Sequence, residues 1–197
     1  MLVIIPAGSG SISEPKMSET DTIESWNRQR ERVDALMHAG GGRPGVPPSS
    51  SLAGKTGLQI MQSLLSGELP YPHMVQTMDV ALIEIGPGYA VFQGTPQLKH
   101  YNPMGVVHGG WFATLLDFAL GCAVQTTLGA GVGYTTAQLS VQMVRAATVD
   151  TGPLRAIGKA VHSGRQMATS ETRIVAPDGK LYAHATTTCM VFAARAR

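Results

Sequence analysis

The strongest constraint on how this chain folds lies between Tyr101 and Leu128, which reads YNPMGVVHGGWFATLLDFALGCAVQTTL. From Trp111 to Leu128 it is apolar almost all the way round a helical wheel, so it predicts a helix buried on every side rather than one riding on a surface. One charge interrupts it, Asp117. An ionised carboxylate in such a helix is expensive unless it is hydrogen-bonded, paired or facing a cavity, which makes Asp117 a functional candidate. Just ahead lie Asn102-Pro103, Gly105 and then His108-Gly109-Gly110. A helix start carries unpaired N–H groups and a partial positive charge, and residues without Cβ let a ligand oxygen approach that backbone. Gly109 and Asp117 are eight positions apart, about two turns at 3.6 residues per turn. The helix therefore offers a donor pair at its mouth and an acid further along.

Around this stretch the chain reads as a set of short elements. Met1 to Lys16 has no period and Met17 could equally be a start, so residues 1–17 receive no function. Ser18-Glu-Thr-Asp supplies capping residues for a helix through about Ala39, with Ile23, Trp26, Val33 and Met37 as its apolar positions. Gly40 to Ser51 is a loop or linker, and Lys55 to Leu65 a second helix ended by Gly67 and Pro70. Two domains of organisation follow: an extension over 1–54 and a main domain over 55–197. Tyr71-Pro72-His73 leads toward strands, with His73 read as a surface or packing residue. Met78–Ile85 and Tyr89–Gly94 form a hairpin about Gly86-Pro87-Gly88. After the helix, Gly129 to Gly133 is a C-cap and turn. Strands follow at Tyr134–Val144, Leu154–His162, Met167–Val175 and Leu181–Phe192, with alternation in Leu139, Val141, Met143 and in Ala185, Thr187, Cys189, Val191. An antiparallel sheet needs a cover for its apolar face, and one apolar helix wrapped by it satisfies both. A helix apolar on all sides and an edge strand in need of pairing both point to a dimer.

Composition removes several function classes. The net charge of +2 with no dense Lys/Arg run argues against nucleic acid. Cys122 and Cys189 read as small core hydrophobes, which fits a reducing cytoplasm. No stretch has the length of a membrane span, and the N-terminus lacks a signal-peptide pattern. The six histidines show no metal-ligand spacing, so neither a metal nor another cofactor is expected.

The pattern N-P-x-G-x-x-H-G-G, followed by an apolar helix with Asp nine positions after His, resembles the hotdog-fold acyl-CoA thioesterases, in particular their phenylacetic-acid-pathway (PaaI-like) branch. The similarity runs from about Gly57 to Phe192. It implies an α+β hotdog fold, an antiparallel sheet wrapped around one long helix, here with extra N-terminal helices, one of them beside the acyl pocket. It also implies a homodimer or homotetramer with sites shared between subunits. By family position Asp117 is the general base or the nucleophile, and the N–H of Gly109 polarises the thioester carbonyl. Asn102 lies near the thioester or the attacking water, and His108 holds the loop. Thr136 matches a hydroxyl supplied by the partner subunit. Some relatives with a glutamate carry Thr one turn after the acid, where this chain has Gly121. The loop His162-Ser163-Gly164-Arg165-Gln166 resembles the one bordering the coenzyme A phosphates. Gly110, Gly164, Arg165, Arg145 and Lys159 are the candidate substrate contacts. Trp111, Phe112, Met61, Leu64, Leu65 and Met143 are candidates for either core or acyl pocket. The function implied is hydrolysis of an acyl-CoA thioester. Its rivals are a non-catalytic acyl-CoA binder or sensor on the same fold, and an enoyl-thioester hydratase or dehydratase.

Overall fold

A computed structural model describes residues 18–39 and 43–194. The expectations for residues 1–17 and for Gly40 to Gly42 lie outside them. Four helices come first: α1 (Glu19–Ala39), α2 (Ser49–Leu52), α3 (Gly57–Leu65) and α4 (His73–Met78). The hairpin β1 (Val80–Gly86) and β2 (Tyr89–Gly94) leads into α5 (Gly109–Gln125). Four strands complete the chain: β3 (Val132–Met143), β4 (Leu154–Ser163), β5 (Met167–Val175) and β6 (Leu181–Ala193). All pairings are antiparallel, in the order β1-β2-β4-β5-β6-β3. This is the α+β arrangement expected, a sheet with one long apolar helix laid on its inner face.

That helix can lie close because the sheet's inner face is built from small residues. Ala156, Gly158, Ala168, Ser170, Ala183 and Ala185 face α5 from three adjacent strands, and a Cβ on Gly158 would stand 2.2 Å from the carbonyl oxygen of Ala119. Ser170 Oγ donates to the carbonyl of Leu120 at 3.0 Å. Leu115, Leu116 and Leu120 are fully buried in this seam, each contributing about 1.5–3 kcal/mol of apolar burial. On the opposite face of the sheet, α1 packs Val33 against Ala81, Ile83 and Val91. Arg155 is buried there, donating to Gln93 (2.9 Å) and to Gln29 of α1 (2.8 Å), with its guanidinium 4.3 Å from the centre of the Trp26 ring.

Several expectations need correction. His73 begins the short helix α4 instead of leading straight into a strand, because Pro72 at its N-cap has the extended backbone that opens a helix. Ser49–Leu52 within the expected linker is a single helical turn. The central helix stops at Gln125, and Gly131 and the strand from Val132 replace the longer glycine turn. In the single chain α5 is also not buried on every side. Ala113, Thr114, Asp117, Phe118, Cys122 and Gln125 form a half-buried stripe that one sheet leaves uncovered.

Strand β3 carries the irregularity that matters for the site. Thr136 pairs with Cys189 and Gln138 with Thr188, so Ala137 is an extra residue, a bulge. Inward-facing Cys189, Thr187, Ala185 and Ala183 of β6 lie opposite Thr136, Leu139, Val141 and Met143. The bulge changes the parity, so the even-numbered Tyr134 and Thr136 share the α5-facing side with the odd-numbered residues beyond it. Thr187 Oγ1 donates to the Gln138 carbonyl at 2.6 Å and fastens the bulge.

Candidate active site

Asp117 sits on the half-buried stripe of α5. Thr136 Oγ1 donates to its Oδ1 at 3.1 Å. No basic side chain pairs with it among the described residues. The carboxylate is therefore neither sealed in the core nor neutralised, and one of its oxygens remains free to accept a proton. The resemblance assigns the hydroxyl at this place to a partner subunit, whereas here Thr136 reaches the acid of its own chain. Gly121, one turn further on, has no side chain because Tyr134 of β3 fills the space. A Cβ there would meet the Tyr134 hydroxyl oxygen at 2.5 Å. Burial, and then the charges of its neighbours, raise the Tyr134 pKa well above its usual 10. Burial and the Asp117 charge push the Cys122 thiol up to about 12.

At the start of α5, His108 is the N-cap, and its Nδ1 accepts the N–H of Gly110 at 2.8 Å. The neutral ring then carries its proton on Nε2. The N–H of Gly109 makes no hydrogen bond among the described residues. One of the two glycine donors is thus spent on the cap and the other is open. The end of the Met143 side chain crosses above Gly109, its sulfur 2.8 Å from where a Cβ would be, so a larger residue there would have to displace that flexible side chain. The loop before the helix is fastened from two directions. Asn102 Oδ1 accepts the N–H groups of Met104 (2.9 Å) and Val106 (3.4 Å), an Asx-type turn that leaves its amide NH₂ without a partner among the described residues. The carbonyl of His100 accepts the N–H of His108 at 2.7 Å. The His100 ring, stacked 5.3 Å from Trp111, is buried, and burial lowers its pKa. Nothing in the motif pattern singled out His100.

The five candidate substrate contacts are not gathered in one place. Gly110 lies at the α5 mouth. Arg145 follows β3 near that end, 5.8 Å from the Tyr182 ring centre. Gly164 and Arg165 sit in the β4–β5 turn, which Thr127 ties to the far end of α5 through a 2.7 Å bond to Ser163. Lys159 is on the sheet face away from α5, in a groove of about 540 Å³ with Arg173, Glu171 and His184. Among the acyl-pocket candidates, Met61 and Leu64 of α3 separate two apolar spaces. One is a small cavity of about 50 Å³ bounded by Met37, Tyr71, Phe92, Phe118 and Cys122. The other is a groove of about 550 Å³ lined by Leu52, Ile60, Gln125 and Tyr134. Trp111 and Phe112 are core, the Trp111 indole donating to the Met78 carbonyl at 3.0 Å, and Leu65 packs against the core as well. No group of three His, Cys, Asp or Glu residues among the described residues has the geometry to hold a metal ion.

Residues 104–183, from the α5 loop to β6, match the family model of the Thioesterase superfamily. No curated protein matches the sequence. Among solved structures, a phenylacetic acid degradation-related protein from Ralstonia eutropha is 29% identical with a TM-score of 0.60, covering 66% of this chain and 97% of that one. A mutant of the phenylacetic acid degradation protein PaaI from Thermus thermophilus is 25% identical, TM-score 0.54, over 59% of this chain and 96% of that one. The PaaI protein of E. coli, 20% identical with a TM-score of 0.56, covers 61% of this chain and 85% of its own and shares the fold. The three matches take in 59–66% of this chain and 85–97% of those structures. No helix among the described residues is long and apolar enough to cross a membrane. The chain is a hotdog-fold protein whose segment 104–183 matches the thioesterase superfamily, and the resemblance to the PaaI-like branch read from its sequence is borne out.

Proposed function

We propose that the protein hydrolyses acyl-CoA thioesters. The observation that carries the reading is that one helix holds both an unneutralised, half-buried acid and an unspent N-terminal N–H, each available to complete a site with the other group of a second copy. Water held by the free oxygen of Asp117 gives it a proton as its own oxygen attacks the thioester carbon. The N–H of Gly109 steadies the charge that develops on the carbonyl oxygen. The C–S bond then breaks, and the leaving thiolate takes the proton back from Asp117 as CoA-SH. His108 and Asn102 hold the loop that presents Gly109, and Thr136 fixes the carboxylate.

Eight residues of helix put the Gly109 N–H and Asp117 about 12 Å apart along the axis, at 1.5 Å per residue. One carbonyl cannot bridge that span within a single chain. β3 lies at the end of the sheet order with one side unpaired, an edge suited to joining a second copy. We therefore place the site between two antiparallel copies of α5, Gly109 from one and Asp117 from the other, in a homodimer that can pair again into a tetramer. Gly110, Arg145, Gly164 and Arg165 border the CoA in that assembly, while Lys159, facing away from α5, is the weakest of the five candidates. The protein needs no metal or redox cofactor for this chemistry. Its free thiols suit a reducing cytoplasm.

The test is release of free thiol from a panel of aliphatic and aryl acyl-CoAs by the wild type and by Asp117→Asn. Turnover by the wild type with loss of at least a hundredfold in the variant is expected. Undiminished turnover in the variant, or none in the wild type on any substrate, would sink the assignment.

A further inference from the structure

The space beside Gly121 is filled by a hydroxyl rather than by a hydrocarbon, and this is unusual in a helix otherwise packed with leucine and alanine. The Tyr134 oxygen lies 2.5 Å from where a Gly121 Cβ would be, and the ring atoms Cε2 and Cζ lie at 3.2 Å. Gly121 is one turn, about 6 Å of rise, beyond Asp117 on the same helix face. Tyr134 and Thr136 are alternate residues on one side of β3, so two hydroxyls stand in step along α5, Thr136 at the acid and Tyr134 one turn on.

A phenol drawn this far into a protein normally hydrogen-bonds to a protein group. Tyr134 is half-buried, and its hydroxyl, not sealed from solvent, makes no such bond among the described residues; its side chain lines the 550 Å³ groove that runs beside Met61, Leu64 and Gln125. The proton it offers is therefore available to something that enters the groove. Its neighbours, the thiols Cys122 and Cys189 and the carboxylate Asp117, keep it protonated, with burial as the main cause. It is a neutral donor at neutral pH.

We propose that Tyr134 is a positioning residue of the hydrolytic site, its hydroxyl donating to the water that Asp117 activates. Gly121 is the complement that lets the hydroxyl reach that place. The proposal rests on the thioesterase reading and adds to it a group that sequence motifs do not mark.

Tyr134→Phe removes only the oxygen. It should lower kcat at least tenfold while KM stays within twofold and the melting temperature is unchanged. Gly121→Ala, which pushes the hydroxyl away without deleting it, should cause a comparable loss of kcat. The double variant should be no slower than Tyr134→Phe within twofold, because both changes remove one and the same contact. If the wild type is active and Tyr134→Phe keeps kcat within twofold, or loses only KM, Tyr134 is packing and the proposal fails while the thioesterase reading stands. Additive losses in the double variant would overturn it as well. A wild type with no thiol release would remove both readings together.

Discussion

Thr136 of β3 reaches across to α5 and donates a 3.1 Å hydrogen bond to Asp117 of the same chain. It can do so only because the bulge at Ala137 turns residues 134 and 136 to the helix side of the strand. Binding one carboxylate oxygen leaves the other free and fixes its direction, which is what a general base requires. Hydrogen bonds to charged groups contribute about 1.5–3 kcal/mol. At the lower end of that range, Thr136→Val should cost roughly tenfold in kcat, and Thr136→Ser should retain most of the rate. Steady-state kinetics on the two variants decides the matter, and a Val variant as fast as the Ser one would show the bond to be incidental.

The close seat of α5 on the sheet depends on Gly158. An added methyl would stand 2.2 Å from the Ala119 oxygen and 2.5 Å from its carbon, both backbone atoms that cannot swing aside. Overpacking of this kind typically costs about 1–3 kcal/mol. Gly158→Ala should lower the denaturant midpoint accordingly with little change in slope, whereas Gly179→Ala, strained only by a φ of 84° in an open turn, touches no such neighbour. An unchanged midpoint for Gly158→Ala would mean that the helix can lift from the sheet at no cost.

Much of this architecture is legible in the residue pattern, and the exceptions have physical causes. The apolar run around Asp117 announces the helix, and the alternation in Leu139, Val141, Met143 and in β6 announces the sheet, because burial on one face imposes period two. Asn102, Gly109 and His108 stand out because turns and helix mouths demand particular residue types. The α4 turn escapes notice because six residues are too few to show a helical period. The inward turn of Tyr134 is hidden for a different reason. A bulge is one extra residue in a register, and register exists only between two strands. Gly121 looks like a missing hydroxyl in one dimension, and only the fold brings Tyr134 to its side.

Both cysteines should be silent to thiol reagents in the folded protein. The Cys122 thiol, with its pKa pushed to about 12 by burial and the nearby Asp117 charge, is thiolate in only about one molecule in ten thousand at pH 8, and the thiolate is the reactive form. Burial raises the Cys189 pKa too. Titration with a chromogenic disulfide should find almost no reactive thiol in native protein and two after unfolding in urea. Rapid native labelling would show that α5 opens readily. Silence would also mean that the same reagent reports released CoA without background from the enzyme.

The N-terminal helix is held to the domain by polar contacts as well as by Val33, and Arg155 is their centre. Its guanidinium is almost out of water, and burial lowers its pKa to about 10, which still leaves it charged at neutral pH. It makes no direct ion pair among the described residues, although the Glu84 carboxylate lies near enough to favour its charge, and its donors are satisfied by the amide oxygens of Gln93 and Gln29 with the Trp26 ring beside it. A desolvated cation over an indole contributes about 2 kcal/mol, and the hydrogen bonds add to it. Arg155→Ala should therefore release α1 before it unfolds the sheet. Trp26 fluorescence should shift to the red, and trypsin should cut within α1 at Arg28, Arg30 or Arg32 at concentrations that leave the wild type whole. The pair Arg30–Asp79 at 3.0 Å gives a second hold on the same helix, so Arg155→Ala combined with Asp79→Asn should be cut faster than either single variant. Cleavage of Arg155→Ala at the wild-type rate would mean that the apolar contacts of Val33 suffice and that the buried cation is not what fastens the helix.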